Sequence, residues 1–190
     1  PATDQLLLLA SVDKAAFVRA ATVEPLSRSR SNERDDALRR ATADGDPYVR
    51  LASAKVRLGR GAADASVALA GLAQDSNVDI RRRALEFALD SPQDCLGKFR
   101  RALHDPDPLV RAFAAKGLLR AGRPSDIPDL LALMDDPFGD VVLEAINAIV
   151  ALSASRAEAI SYLSPLLEHR NPRAVVCSAV ALVQLLEEER

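Results

Sequence analysis

One pattern recurs along the whole chain and constrains its fold more than any other feature. The full pattern is an acid, an aliphatic residue five positions later, and an arginine immediately after that. Four copies keep all three residues: Asp13…Val18-Arg19, Asp44…Val49-Arg50, Asp75…Ile80-Arg81 and Asp105…Val110-Arg111. Two copies lose the arginine: Asp136…Val141-Val142 and Asn171…Val176-Cys177. The aliphatic residues recur every 30 to 35 positions, a period that is typical of stacked helical repeats.

Each copy marks the turn of a predicted helical hairpin. In the third copy, apolar spacing predicts helices over 63–74 and 78–89, separated by turn-forming residues at 75–77. The same reasoning predicts three more helix pairs: 92–104 with 109–119, 126–134 with 140–152, and 157–168 with 172–186. No segment shows the sustained alternation of a half-buried strand. The predicted fold is therefore all-α, a right-handed α-α superhelix of about six hairpins.

We expect residues 1–190 to form a single repeat domain. With 48% apolar and 27% charged residues, the composition fits a folded protein rather than a disordered one. The chain begins at Pro1 without Met, which we interpret as the sign of a processed product or of a fragment of a longer protein.

The hairpins resemble HEAT repeats, specifically the bacterial HEAT-like type first associated with phycobilisome lyases. The fourth copy carries the resemblance best, in residues 105–118 (DPDPLVRAFAAKGL). The match covers nearly the whole chain and weakens in the first and last copies. The resemblance implies a HEAT-like solenoid, and it says almost nothing about function.

The resemblance also implies a role for the recurring acids and arginines. In HEAT proteins such residues form a ladder along the stack, and an arginine fork suits both a carboxylate and turn carbonyls. The predicted ladder comprises Asp13, Arg19, Asp44, Arg50, Asp75, Arg81, Asp105 and Arg111. The alternative is that these arginines bind phosphate or carboxylate ligands. Loss of the arginine at Val142 and Cys177 predicts a different junction near the C-terminus.

The second helix of each hairpin is expected to line the concave side of the solenoid, where a partner would bind. Positions −1, +2, +6 and +10 from each aliphatic anchor share one helix face. We call their side chains the second-helix stripe: Tyr48, Leu51, Lys55, Asp79, Arg82, Glu86, Leu109, Lys116, Arg120, Asp140, Leu143 and Asn147. The stripe mixes both charges with apolar side chains, which favours a protein or peptide partner. The alternative is that its charges only solubilise the face and pair between repeats.

The expected function is thus a non-catalytic scaffold for protein–protein interaction. The runner-up is a nucleic-acid-binding HEAT module that uses Arg81, Arg82, Arg83, Lys98, Arg100 and Arg101. A phycobilin lyase-like subunit is a third hypothesis. It ranks below the other two because nothing in the sequence marks a chromophore site. A phosphate-binding surface should be mostly basic, whereas the net charge is −2.

Catalytic chemistry is not predicted. The sequence has no glycine-rich phosphate loop, nucleophile elbow or Cys/His/Asp cluster, so we assign no catalytic, cofactor-binding or metal-binding residue. Cys95 and Cys177 lack metal-type spacing and are expected to be reduced, which favours a cytoplasmic protein. No apolar run is long enough for a transmembrane helix.

The last predicted helix, 172–186, is apolar around most of its circumference. A terminal repeat should present a polar outer face, and a helix that is apolar on all sides should be buried. We therefore expect a further repeat or a second copy of the chain to cover it. The alternative is close packing against Ile160, Leu163 and Leu166 alone.

Overall fold

The computed structural model describes residues 2–30, 32–61 and 65–187, and these residues form helices and turns without any strand. Twelve α-helices occur in this part of the chain: α1 (Ala2–Ala10), α2 (Ala16–Ser27), α3 (Arg34–Thr42), α4 (Pro47–Leu58), α5 (Ala65–Leu72), α6 (Val78–Ala88), α7 (Leu96–Ala102), α8 (Pro108–Ala121), α9 (Ile127–Leu131), α10 (Gly139–Leu152), α11 (Arg156–Leu163) and α12 (Pro172–Glu187). The prediction of an all-α fold made of helical hairpins is confirmed.

The helices fall into two compact units that divide between Ser91 and Pro92. Unit 1 contains the hairpins α1–α2, α3–α4 and α5–α6, and unit 2 contains α7–α8, α9–α10 and α11–α12. Within unit 1 the second helices pack in series, α2 against α4 and α4 against α6. Unit 2 repeats this arrangement with α8 against α10 and α10 against α12. That 1–190 is a single domain stays a prediction.

All six turns between paired helices are closed by the same local hydrogen bond. In each, the side-chain oxygen of the recurring acid or amide accepts from the backbone N–H two residues later, which defines an Asx turn. The six pairs, at 2.7–3.1 Å, are Asp13–Ala15, Asp44–Asp46, Asp75–Asn77, Asp105–Asp107, Asp136–Phe138 and Asn171–Arg173. The sequence period therefore reflects a repeated turn chemistry.

Capping side chains then start several second helices. Asp46 accepts from the N–H of Tyr48 at 2.8 Å, and Asp107 accepts from the N–H of Val110 at 3.0 Å. Pro47 and Pro108 occupy the first helical position, where proline's missing N–H costs nothing. Asn77 caps α6 in the same way and accepts from the N–H of Asp79 at 2.9 Å. The helices α4, α6 and α8 therefore each begin directly after a side chain that accepts from their first turn.

The first helices of unit 2 differ from the predicted continuous helices. They are divided between short α-helices and 3₁₀ segments at Pro92–Cys95, Pro124–Asp126, Ala132–Asp135 and Ser164–Glu168. Prolines at 92, 124 and 165 lie in these segments, and their missing donors weaken a regular α-helical start or continuation. The predicted start of the third hairpin at residue 63 lies outside the described residues.

The aliphatic anchors form the centre of the core in most copies. Val49, Ile80, Val110 and Val141 are each at most 1% exposed. The sixth anchor, Val176, is 61% exposed, because the buried face of α12 instead carries Ala174, Ser178, Ala181 and Leu182. Burial of the anchor is thus not a property of every copy.

Small residues allow the close packing of unit 2. Phe99 on α7 is fully buried, and its ring lies against Gly117 on α8. A β-carbon at Gly117 would come within 2.3 Å of that ring, so the close approach of these two helices requires glycine. No helix among the described residues is long and apolar enough to cross a bilayer.

Candidate functional site

An open groove of about 990 Å³ lies on unit 1, where α2, α4 and α6 meet part of α1. We call it the unit-1 groove. Its apolar lining includes Leu7 from α1, Tyr48 and Val56 from α4, and Phe87 from α6. Its charged lining comprises Asp4, Glu24, Arg28, Lys55, Arg60 and Arg83. Successive second helices thus contribute to one concavity of mixed character.

Two contacts shape the sides of the unit-1 groove. The Lys55 ammonium lies over the Phe87 ring, 4.9 Å from its centroid, an arrangement that attracts a cation to the ring face. The Arg60 guanidinium donates to the backbone carbonyl oxygen of Ser27. These contacts connect α4 to α6, and the turn after α4 to the end of α2.

The second-helix stripe only partly coincides with the unit-1 groove. Tyr48 and Lys55 line it, and Tyr48 is 40% exposed. Leu51 also contributes to the lining, but it is only 3% exposed and belongs mainly to the core. The +2 position of α4 is shielded from solvent because α2 and α6 both pack against α4.

On α6 the lining residues are Arg83, which the sequence indicated only in the nucleic-acid hypothesis, and Phe87, which it did not indicate. They lie three and seven positions after the anchor Ile80, one residue away from the offsets used for the stripe. The equivalent positions on α4, Ala52 and Val56, also line the unit-1 groove. Adding offsets +3 and +7 to the stripe would have found all four residues.

The remaining stripe residues are accessible on their own helices. In unit 2, Leu109 is 44% exposed and Leu143 is 43% exposed. The other stripe positions on α6, α8 and α10 are exposed or half-buried: Asp79, Arg82, Glu86, Lys116, Arg120, Asp140 and Asn147. Apart from Leu51, no stripe side chain is withdrawn into the core.

The predicted ladder arginines all bind the turn of their own hairpin. In each, the terminal nitrogen Nη1 donates to two backbone carbonyl oxygens, those of the turn acid and of the next residue. Arg19 binds the carbonyls of Asp13 and Lys14 at 2.9 and 3.1 Å. Each arginine therefore satisfies turn carbonyls that have no helical partner.

Arg19, Arg50 and Arg111 also approach the acid of the next turn. Arg19 makes a two-pronged contact with Asp44, both distances being 2.7 Å. Arg111 binds Asp136 in the same way at 2.7 and 3.0 Å, while Arg50 approaches Asp75 only to 3.8 Å. The hydrogen bonds from Arg19 hold the pKa of Asp44 below its usual range.

The junction before α12 is built differently, at the place where the arginine is missing. The Asn171 side-chain amide donates to the backbone carbonyl oxygens of Met134 at 2.7 Å and Asp136 at 3.0 Å. Beside it, Arg170 makes two 2.8 Å hydrogen bonds to Asp135 and lowers the pKa of that carboxyl. An amide donor thus bridges the two turns in place of a guanidinium.

A further ion pair was not anticipated. Arg100 on α7 binds both carboxylate oxygens of Asp126, at 2.6 and 3.1 Å. Burial disfavours the charged form of Asp126, but Arg100 and the backbone N–H of Arg123 outweigh it and lower its pKa. Arg100 was one of the six cations in the nucleic-acid hypothesis. In the structure its guanidinium is instead bound to the Asp126 carboxylate.

An apolar stripe remains on the outer side of α12. Val176, Val180, Val183 and Leu186 are each 51–61% exposed and follow one another at helical spacing. The opposite face packs on α10 and α11. Among the described residues, no three His, Cys, Asp or Glu side chains are grouped to hold a metal ion.

Comparisons with known proteins agree with this architecture. Residues 66–149 match the family model described as HEAT repeats. No curated protein matches the chain by sequence.

Solved structures with the same fold include an engineered protein from a structural genomics consortium. It is 14% identical, has a TM-score of 0.61, and the alignment covers 97% of each chain. A designed armadillo repeat protein, YIII(Dq)4CqI, is 16% identical with a TM-score of 0.59, over 95% of this chain and 98% of that one. Another, YIII(Dq.V1)4CPAF in complex with the peptide (KR)4, is 15% identical with a TM-score of 0.58, over 93% and 98%. The chain thus has the all-helical fold of the HEAT and armadillo type, and its residues 66–149 are similar to HEAT repeats.

Proposed function

We propose that this protein is a non-catalytic binding module that holds a peptide segment of another protein against its second helices. The observation that carries the proposal is the unit-1 groove, an open concavity lined by side chains of successive second helices. Armadillo and HEAT-type repeat folds are typical of protein-binding scaffolds, and one designed neighbour was solved in complex with a peptide.

The lining of the groove supports a peptide rather than a small metabolite. Apolar side chains such as Leu7, Tyr48 and Phe87 line the groove together with charged ones. Such a surface buries hydrophobic side chains and orients a flexible segment through a few polar contacts. Within unit 2, Leu109 on α8 and Leu143 on α10 are likewise exposed apolar side chains.

Selection from a display library of random 12-residue peptides tests the proposal. We expect enriched peptides whose affinity falls by about tenfold in the variant Tyr48→Ser, because truncation of a central contact typically has this effect. Val67→Ser is the matched control, since Val67 is 68% exposed on the first helix α5. Failure to enrich any peptide, or equal loss in the control, would overturn the proposal.

We also propose that the apolar stripe on α12 is covered by a second copy of the chain or by further repeats. Four adjacent half-exposed aliphatic side chains form a patch that tends to associate. Sedimentation velocity of the 190-residue chain, with the variant Val180→Asp, separates these two occupants. A dimer that Val180→Asp dissociates supports a second copy, whereas a monomer at high concentration excludes it.

A further inference from the structure

The charges of the unit-1 groove are not balanced. Its lining contains four cations, Arg28, Lys55, Arg60 and Arg83, but only two carboxylates. Arg28 and Glu24 form an ion pair at 2.7 Å, so they largely neutralise one another. Three cations then remain against the single carboxylate of Asp4.

These three cations lie on the side of the groove formed by α4, α6 and the turn after α4. Arg83 lies one helical turn before Phe87, and the Lys55 ammonium lies over the Phe87 ring. The Arg60 guanidinium donates to a neutral carbonyl and helps to lower the pKa of Asp35, so its charge is partly compensated. Neither Lys55 nor Arg83 has a carboxylate within ion-pair distance among the described residues. The positive potential of this region is therefore available to a ligand.

The rest of the lining argues for a peptide rather than a nucleic acid. A phosphodiester chain carries a charge on every nucleotide and would bring one of them past Asp4, and like charges in contact cost affinity. The apolar lining suits aliphatic or aromatic side chains next to an acid. An acidic peptide can place one carboxylate beside the cations and leave the other end neutral.

From this arrangement we infer that the unit-1 groove binds peptide segments in which aspartate or glutamate side chains alternate with apolar ones. The inference rests on the proposed peptide-binding function and specifies its partner. Lys55 and Arg83 contact the acidic side chains, while Leu7, Tyr48 and Phe87 contact the apolar ones.

The random 12-residue display library, selected on the wild-type chain, provides the probe. We expect enrichment of acidic over basic residues in the selected peptides. Affinity for a selected peptide should fall about tenfold in Lys55→Glu and in Arg83→Glu, since reversal of a contact charge replaces attraction by repulsion. The matched controls are Lys14→Glu and Arg101→Glu, which reverse exposed cations that do not line the groove.

A charge swap makes the test specific. Replacing the acidic residue of the selected peptide by lysine should weaken binding to the wild type and restore binding to Lys55→Glu or Arg83→Glu. Circular dichroism of each variant confirms that it is folded before affinity is compared.

The alternative outcomes are distinct. Enriched peptides that are neutral or basic, or acidic peptides that ignore Lys55→Glu and Arg83→Glu, overturn this inference and leave the proposed function intact. No enriched peptide at all overturns both. Binding of an eight-nucleotide oligo(dT), lost in Lys55→Glu, would replace the peptide by a nucleic acid and overturn the inference as well.

Discussion

The side-chain amide of Asn171 donates a 3.0 Å hydrogen bond to the backbone carbonyl oxygen of Asp136. It joins two successive turns at the only junction within unit 2 where the preceding second helix has valine, Val142, in place of arginine. A carboxylate at this position would have no proton to donate. The two changes from the recurring pattern are therefore chemically linked.

The substitution Asn171→Asp should destabilise the protein by about 2 kcal/mol, because an unpaired carboxylate would then face two carbonyl oxygens. Urea unfolding followed by circular dichroism measures the change. Asp75→Asn is the converse control. It keeps the acceptor of the Asx turn and loses only a 3.8 Å contact with Arg50, so we expect a change within about 0.5 kcal/mol. Equal stability of Asn171→Asp and the wild type would contradict this account.

Gly117→Ala should destabilise the protein by about 1–3 kcal/mol, although alanine is the better helix former. The new β-carbon would lie 2.3 Å from the buried Phe99 ring, and that ring has to move. Gly97→Ala on α7 is the matched control, because open space surrounds the position that its methyl group would occupy. We expect Gly97→Ala to raise the free energy of unfolding by up to about 1 kcal/mol. A stabilised Gly117→Ala variant would show that the helices are less tightly packed.

Arg111→Ala should lower the free energy of unfolding by about 3 kcal/mol. It removes two hydrogen bonds to Asp136 and two to turn carbonyls, and it leaves a carboxylate that is mostly buried without its cation. Arg101→Ala, which changes an exposed arginine in the same unit, should change stability by less than about 0.5 kcal/mol. Denaturant unfolding of the two variants side by side measures the difference, and similar losses would refute a specific role for Arg111.

The Arg19–Asp44 pair predicts a pH dependence. Because the folded-state pKa of Asp44 lies below its usual value of 3.8, its contribution to stability is complete above that value. The contribution is lost as pH falls through the lowered folded-state pKa. An NMR titration of the Asp44 carboxyl should give a pKa below 3.8 in the wild type and a higher one in Arg19→Ala. The stability difference between the two proteins should correspondingly become smaller in acid, where only the Arg19 hydrogen bonds to the Asp13 and Lys14 carbonyls still contribute, and a difference that does not change with pH would contradict the assignment.

The two cysteines should differ in reactivity. Cys95 is fully buried and burial raises the pKa of its thiol, whereas Cys177 is half-buried with a pKa raised by the same cause. A thiol reagent reacts with the thiolate and needs access. We expect slow labelling of Cys177 in the native protein and labelling of Cys95 only in denaturant, as mass spectrometry of the peptides would show. Rapid native labelling of Cys95 would mean that unit 2 opens readily.

The recurring acid predicted the hairpin turns because its effect is local. An Asx turn depends on a side chain and an N–H two residues away, so a sequence period reveals it directly. The exposure of Leu51 depends instead on how two neighbouring helices cover α4, which no single helix face records. For the same reason, the helix period alone did not show that side chains at offsets +3 and +7 would line the groove beside those at +2 and +6.

The structural role of Asn171 could not be recognised from the sequence either, because the residue looked like a degenerate copy of the recurring acid. Only the geometry shows that the amide supplies donors at a junction that lacks an arginine. Arg100 and Asp126 are a second example, since 26 positions and an irregular 3₁₀ segment separate them. Partners that meet at one junction only leave no periodic trace in the sequence.

The arginine contacts run in one direction, from a turn toward the hairpin that follows it. A hairpin that follows Arg19 or Arg111 must therefore bring a carboxylate to its turn, whereas the one that follows Val142 must bring a hydrogen-bond donor. Exchange of whole hairpins between these positions would mismatch the turn chemistry on at least one side. The hairpin α11–α12 is in this sense specific to its place after Val142, whereas hairpins that bring an acid to the turn and carry the arginine can follow one another.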